Sequence, residues 1–291
     1  MRGIIVHNGS LCTDSFMRLC AAFEEAFAKL GAQAMPVSNT MILPARINGV
    51  PLLCGLDFRP DFALFYDKDI RLAEHIESMG VPVFNSSRAI ALCDDKTACM
   101  NALSGLGIPT ADSVFSPLVF NGSAEFSLER VAELLGLPLV VKENCGSFGA
   151  QVYLARSLDE LKQLYERLRF VPHRYERFIN AVSGQDYRIQ IVGGEYAGCM
   201  KRVNRNDFRA NVYSGGSVEA FEPPESAVCF AKRACSVLKL DFAGVDFLFA
   251  SDGSPVLCEV NSNAFFLNLS KVSSTDVAFM TARHIIRKTD K

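Results

Sequence analysis

The stretch Ala243–Asn263, AGVDFLFASDGSPVLCEVNSN, decides how this chain is read. Val245, Phe247 and Phe249 alternate with Asp246, Leu248 and Ala250, the period of a strand. Ser251-Asp252-Gly253-Ser254-Pro255 carries turn chemistry, with Asp-Gly at its centre. A second alternation follows, Val256, Cys258 and Val260 against Leu257, Glu259 and Asn261. Pairing Ala250 with Pro255 across the turn sets Asp246 directly opposite Glu259, with Asn261 two residues on along the same face. Opposed strand residues sit roughly 4.5–5.5 Å apart at Cβ, where like charges repel. Two carboxylates and an amide oxygen converging in an apolar hairpin are tolerated when a cation joins them, and hard oxygen donors suit Mg²⁺. The alternative is a solvated polar face on an edge hairpin. A slip of one residue would throw Glu259 to the other face.

Composition sets outer bounds. With 291 residues, 49% hydrophobic and 21% charged, the chain has material for a sizeable core and two domains. A formal charge of -2 gives no reason to expect nucleic acid or an anionic membrane as partner. No apolar run approaches the roughly 20 residues of a membrane span, and MRGIIVHNGS reads as a first strand rather than a signal peptide. The ten cysteines form no C-x-x-C pair and the four histidines are scattered, so zinc spacing is absent. Small core thiols in a reducing cytoplasm are the expectation. Cys145, beside glycines, stands apart, although a reactive cysteine needs an electropositive setting.

The N-terminal third alternates strand and helix. Gly3 to His7 reads as a strand buried on both faces of a parallel sheet. Asp14 is placed to cap a helix carrying Phe16, Leu19, Cys20, Phe23, Phe27 and Leu30, which stops at Gly31. Further strands at 34–37, 62–66 and 81–84, with a helix at 70–79, predict an open, mostly parallel α/β lobe over residues 1 to about 90. Without a G-x-G-x-x-G after its first strand, this lobe is not read as a dinucleotide site.

Beyond it, Asp94-Asp95-Lys96 opens a helix closed by Gly107 and Pro109, and Ser127–Leu135 forms another. Leu137–Lys142 is a strand ending in a lysine, Glu143–Ala150 a glycine-bearing loop, and Gln151–Ala155 the returning strand. Ser157 and Glu160 form a capping box for the following helix. Here the lysine precedes the glycines and the loop joins two strands, unlike a Walker loop. Backbone N–H groups at Gly146 and Gly149 can still cradle phosphate as a nest, and a plain turn is the alternative. Strands are expected at 174–180, 185–192 and 196–203, then a basic loop from Asn204 to Asn211. Its guanidinium groups suit either phosphate oxygens or a solvated surface. Helices at 223–240 and 275–287 complete the chain.

Six segments together resemble the ATP-grasp superfamily, and within it the RimK-like glutamate ligases. They are DDKTACMNAL (94–103), LPLVVKENCGSFGA (137–150), SGQDYR (183–188), NDFRAN (206–211), DFAGVDF (241–247) and CEVNSN (258–263). The resemblance covers essentially the whole chain. It implies an α/β N-terminal lobe at 1–92 and an α+β ATP-grasp domain at 93–291, whose two subdomains clamp ATP. The glycine-loop subdomain spans about 110–180.

The same resemblance implies the site. Lys96 and Lys142 would contact the phosphates, with the loop of Gly146, Ser147 and Gly149 closing over them. Arg177, Phe178 and Ile179 would meet adenine through the backbone, and Asp186 the ribose. Asp246, Glu259 and Asn261 fall on the Mg²⁺ ligands, for two ions with Mn²⁺ as a substitute. Arg188, Arg209 and Asn211 face the triphosphate and acyl substrate, with Arg188 and Arg209 as the catalytic pair.

The activity implied is ligation of a carboxylate, activated by ATP as an acyl phosphate, to an amine such as glutamate. The acceptor would be a small molecule, peptide or protein tail, and the enzyme a homo-oligomer. No nucleophilic triad is present, and phosphoryl transfer by positioning and charge neutralisation needs none. The alternative is an ATP-binding regulatory or scaffold protein of the same fold. Where relatives commonly continue into a Pro-Gly turn after Glu-Val-Asn-Ser, this chain reads Asn263-Ala264-Phe265-Phe266, which marks the acceptor side as its own. Arg177 replaces a more usual acid or neutral residue.

Overall fold

The computed structural model describes every residue except 12, 123–125, 180–182, 211–214 and 291. Its first sheet is built from β1 (Arg2–His7), β2 (Gln33–Ser38), β5 (Ala63–Phe65) and β6 (Val83–Phe84), all parallel, in the order β2-β1-β5-β6. Helices α1 (Asp14–Lys29) and α2 (Ile70–Ser78) connect them. The cap of α1 is Thr13, whose hydroxyl accepts from the Phe16 N–H, and Asp14 is the first helical residue. A hairpin of β3 (Leu43–Ile47) and β4 (Val50–Cys54) projects from this lobe. Sequence reasoning passed over it, although Asn48-Gly49, both at positive φ, is the strongest short-range signal of such a turn.

Two short helices follow, α3 (Ser87–Asp94) and α4 (Lys96–Leu103), with Asp95 ending one and capping the next. The cap seats Lys96 at the first position of α4, 7% exposed. An antiparallel sheet comes next, from β7 (Ser113–Phe115), β8 (Leu139–Glu143), β9 (Val152–Ala155) and β10 (His173–Arg177), ordered β7-β10-β8-β9. Helices α5 (Leu128–Leu135) and α6 (Leu158–Leu168) share an apolar core with one face of it. Ser157 caps α6 as expected, while the Glu160 carboxylate accepts from the Arg156 N–H.

The last sheet holds β11 (Gln185–Val192), β12 (Glu195–Val203), β13 (Ser217–Ala220), β14 (Phe242–Phe249) and β15 (Pro255–Asn261), in the order β13-β12-β11-β14-β15. One face shares a core with α7 (Glu225–Val237), α3 and α4. The other meets the N-terminal lobe and α8 (Val277–Thr289) in a single apolar cluster that holds Phe23, Phe27, Phe62 and Tyr66 with Met200, Phe242 and Ile285. The first and last sheets are therefore packed as one body. Asn85 locks the joint: its amide donates to the Phe242 and Ser262 carbonyls and accepts from the Asp241 and Phe242 N–H groups.

The hairpin of β14 and β15 corrects the turn expected from sequence. Phe249, not Ala250, pairs with Pro255, a register that would set Asp246 against Cys258. A β-bulge at Cys258 inserts one residue, and Asp246 pairs with Glu259 after all. Leu257 and Val260 both enter the core as a result, and Cys258 and Glu259 both face the other way. Strict alternation had placed Cys258 opposite in sense to Glu259.

Candidate active site

A cleft of about 1060 Å³ opens where the two antiparallel sheets and the N-terminal lobe meet. Nine Lys and Arg residues line it against five Asp and Glu, a cationic excess that holds with the Arg177 side chain turned outward, in a chain whose net charge is -2. That excess fits an anionic ligand.

On the glycine-loop side, Lys142 ends β8 and is 7% exposed. Its Nζ lies 2.5 Å from Glu176 Oε2 and 3.6 Å from Cys258 Sγ. Glu176 is held in turn by Arg174, whose guanidinium also donates to the Lys96 carbonyl at 2.8 Å. Burial opposes charge on Lys142, but the anionic forms of Cys258 and Glu176 outweigh it and its pKa is raised. The Cys258 thiol is pushed up to about 11, chiefly by burial, so at neutral pH Glu176 is the charge that holds Lys142 protonated. Burial likewise opposes charge on Glu176, yet Lys142 and Arg174 bring its pKa below the usual range. Lys96 Nζ sits 3.4 Å from Glu259 Oε1 and 3.4 Å from the Asn144 carbonyl. Both expected lysines therefore reach the bulged hairpin.

The hairpin side is a lattice of arginines and carboxylates set by strand register. Arg188 and Asp246 are ladder partners and make a two-pronged pair, Nε to Oδ1 at 2.6 Å and Nη2 to Oδ2 at 2.7 Å. Asp186 and Arg202 are also ladder partners, with both contacts at 2.6 Å, and Arg202 adds a third to Asp246 at 2.9 Å. Burial works against charge on Asp246, but Arg188 and Arg202 bring its pKa down. Burial, reinforced by Asp246, pushes Asp186 up against the pull of Arg202. Both Asp186 oxygens accept from Arg202, so the visible task of Asp186 is to position that guanidinium. Asn261 Nδ2 donates to Asp246 Oδ2 at 3.3 Å.

The donor set of Asp246, Glu259 and Asn261 is all oxygen once the Asn261 amide turns its carbonyl inward. Among the described residues no three His, Cys, Asp or Glu side chains cluster as a metal site. Two carboxylates and an amide fit Mg²⁺, which takes few protein ligands and fills its shell with phosphate oxygens and water.

The loop over the cleft is tied down at several points. The Ser147 N–H donates to Gln151 Oε1 at 3.1 Å, and Phe148 and Gly149 both have positive φ. Arg209, fixed by Asp207, donates to the Gly149 carbonyl at 2.8 Å. Lys68 donates to the Gly146 carbonyl at 3.1 Å while paired with Asp94 at 2.6 Å. Phe178 and Ile179 line the cleft just past β10, beside Val140, Phe208 and Leu248. The Arg177 side chain turns outward to Asp112 and the Leu134 carbonyl. Asn211 lies outside the described residues. Cys145 is not activated: partial burial, Asp94 and Asp95 push its thiol up.

Sequence reasoning missed Lys68, Arg174, Glu176 and Arg202 as site residues. A signal existed for two of them. Arg174 and Glu176 are two apart in a strand whose intervening Tyr175 is a core residue, so both had to share the opposite face.

With this geometry in place, the comparisons with known proteins agree on the class. A model of the RimK-like ATP-grasp domain matches residues 93–285, and the chain belongs to that family. It is similar to human N-acetylaspartylglutamate synthase A, 32% identical over 74% of this chain and 55% of that protein. It is also similar to a probable alpha-L-glutamate ligase of Maridesulfovibrio salexigens, 31% identical over 71% of this chain and 68% of that one. Among solved structures, the RimK domain ATP-grasp protein of Sphaerobacter thermophilus superposes with a TM-score of 0.75 at 22% identity, covering 98% of this chain and 99% of that chain. The chain spans about half the length of several curated relatives it matches. Among the described residues no helix is long and apolar enough to cross a membrane.

Proposed function

We propose that this protein is an ATP-dependent carboxylate–amine ligase. The observation that carries the reading is the meeting of Lys96 and Lys142 with the Asp246–Glu259–Asn261 hairpin across one cationic cleft. Lys96, Lys142 and the backbone of Gly146, Ser147 and Gly149 hold the triphosphate. Arg188 and Arg209 face the transferring phosphoryl group and the carboxylate, and Arg202, fixed by Asp186, keeps Asp246 ionised. Phe178, Ile179 and the backbone at Arg177 border the adenine.

Asp246, Glu259 and Asn261 would hold Mg²⁺, two ions in the full complex, with Mn²⁺ as a substitute. Bound metal supplies neutralisation of the phosphate oxygens. A carboxylate oxygen of the substrate attacks the γ-phosphorus, the bond to the ADP oxygen breaks, and an acyl phosphate forms. The amine nitrogen then attacks the acyl carbon, loses a proton, and phosphate leaves with the C–O electron pair. The arginines and lysines do their work by position and charge, which this reaction class requires.

Glutamate, present in the names of both relatives, is the proposed amino acid, joined to a small molecule, peptide or protein tail. A homo-oligomer in a reducing cytoplasm is the proposed setting. The test is ADP release from Mg·ATP against carboxylates and amino acids, supplied singly and in pairs, with product mass. ADP that forms when both partners are present, with a condensed product, establishes the ligase. Nucleotide binding without turnover on any pair, peptides included, would replace this reading with a regulatory or scaffold role.

A further inference from the structure

Five carboxylates line the cleft, and four are matched with cationic side chains: Glu176, Asp186, Asp246 and Glu259. Asp67 is the exception among the described residues. It is 6% exposed and accepts from neutral donors, the Asn8 amide at 3.1 and 3.3 Å and the Lys68 backbone N–H at 2.7 Å. The Lys68 ammonium is spent elsewhere, on Asp94 and the Gly146 carbonyl. A buried carboxylate without a counter-charge is costly unless a cation reaches it from the cleft.

Its place in the fold gives an independent argument. β1 and β5 are adjacent parallel strands with Val6 opposite Phe65, so Asn8 and Asp67 leave the sheet side by side at its carboxyl edge. β2 lies on one side of β1, and β5 and β6 lie on the other. Open α/β sheets receive ligands in the crevice at such a switch point. The flanking residues tie this crevice to the reaction centre. The Tyr66 hydroxyl donates to the Ala264 carbonyl, just past the metal hairpin, and Lys68 reaches the glycine loop.

We propose that Asp67 binds the ammonium group of the amine substrate, and that this substrate is an amino acid. Arg18 on α1 and Lys271 in the 3-10 turn Leu269–Lys271 line the same cleft, both exposed and outside any ion pair among the described residues. They receive its carboxylate. Phe16 and Phe265, ring centroids 5.9 Å apart, add an apolar wall.

This inference rests on the ligase reading, and one assay separates the two. Hydroxylamine, uncharged at neutral pH, traps an acyl phosphate as a hydroxamate without needing an ammonium site. With Asp67→Asn, whose amide oxygen at the Oδ1 position still accepts from Asn8 and Lys68 while the longer Asn8 contact at Oδ2 is lost, the KM for the amino acid should rise roughly 10- to 100-fold. The ratio of amide to hydroxamate formed should fall by a similar factor, and the hydroxamate signal itself reports a folded enzyme. An unchanged ratio and KM would overturn the role of Asp67 and leave the ligase intact. No hydroxamate from the wild type with any carboxylate would sink both.

Discussion

Arg188 and Asp246 face each other across neighbouring strands, with two short contacts at 2.6 and 2.7 Å, and Glu259 stands next in the same cross-strand row. One row of a sheet thus carries a guanidinium and two carboxylates on a single face. Removing Arg188 leaves Asp246 dependent on Arg202, in a site 3% exposed. Arg188→Ala should lower stability by about 3 kcal/mol, the cost of stranding half of a buried pair, and reduce turnover by roughly 100-fold or more. Urea unfolding and ADP release measure the two losses. Unchanged turnover in a folded variant would remove Arg188 from the reaction.

Glu259 has one cationic neighbour, Lys96, and a 29% exposed side chain. Glu259→Gln keeps its size and removes the charge proposed to hold the metal. Mg²⁺ dependence of ATP binding, followed by calorimetry, should weaken at least about tenfold while thermal stability changes by less than about 1 kcal/mol. A Mg²⁺ dependence equal to wild type would mean that the cation sits elsewhere.

Lys142 and Cys145 are close in sequence and differ in setting. Lys142 is buried between Glu176 and Cys258, whereas Cys145 is exposed on the loop. Lys142→Ala should weaken nucleotide affinity by roughly 10- to 100-fold, the loss of a charge-assisted contact, and Cys145→Ala should not. Fluorescent-nucleotide titration of both variants decides it. Equal losses would move attention to the thiol.

Acid stability follows from the lowered carboxylates. Glu176, Asp241 and Asp246 each have folded pKa values below their ordinary ones of 4.5, 3.8 and 3.8, so each binds fewer protons folded than unfolded. Their contribution is complete above those ordinary values and is lost as pH falls through the folded ones. Asp186 is shifted the other way and opposes the trend, one buried carboxylate against these three. Buried His173, whose pKa burial lowers from 6.5, resists the proton it takes up when unfolded. Urea midpoints should therefore begin to fall below about pH 6.5 and drop further below about 5, and Glu176→Gln should show less of the second drop. A midpoint that rises on acidification would reverse the assignment.

Asn85 is fully buried and meets four backbone groups at the last sheet, so its loss strands two donors and two acceptors on the far side of the joint. Asn85→Ala should cost about 2–4 kcal/mol. A thermal melt within about 1 kcal/mol of wild type would show that water replaces the amide.

Much was legible in the sequence because it is local. Period-2 alternation, Asp-Gly in a turn and glycines after helices depend on neighbours alone, and they place β14, β15 and the parallel lobe. Local rules erred where two registers compete. The Asp252-Gly253 turn pairs Phe249 with Pro255, and the core demands both Leu257 and Val260; the bulge at Cys258 satisfies both, and alternation cannot show it. Asp246 opposite Glu259 was expected from the wrong turn pairing and is reached through the bulge.

Long-range pairing was beyond any local signal. Lys142 and Cys258 are 116 residues apart, and Tyr66 and Ala264 are 198 apart. Sequence determined most of the strands, which loop carries glycines and which carboxylates share a hairpin, since these are set by backbone periodicity. Tertiary structure decided which charge meets which. Arg202 is claimed by Asp186 and Asp246, and Asp67 is left to face the cleft with neutral donors, because only packed sheets bring such groups within a few ångströms.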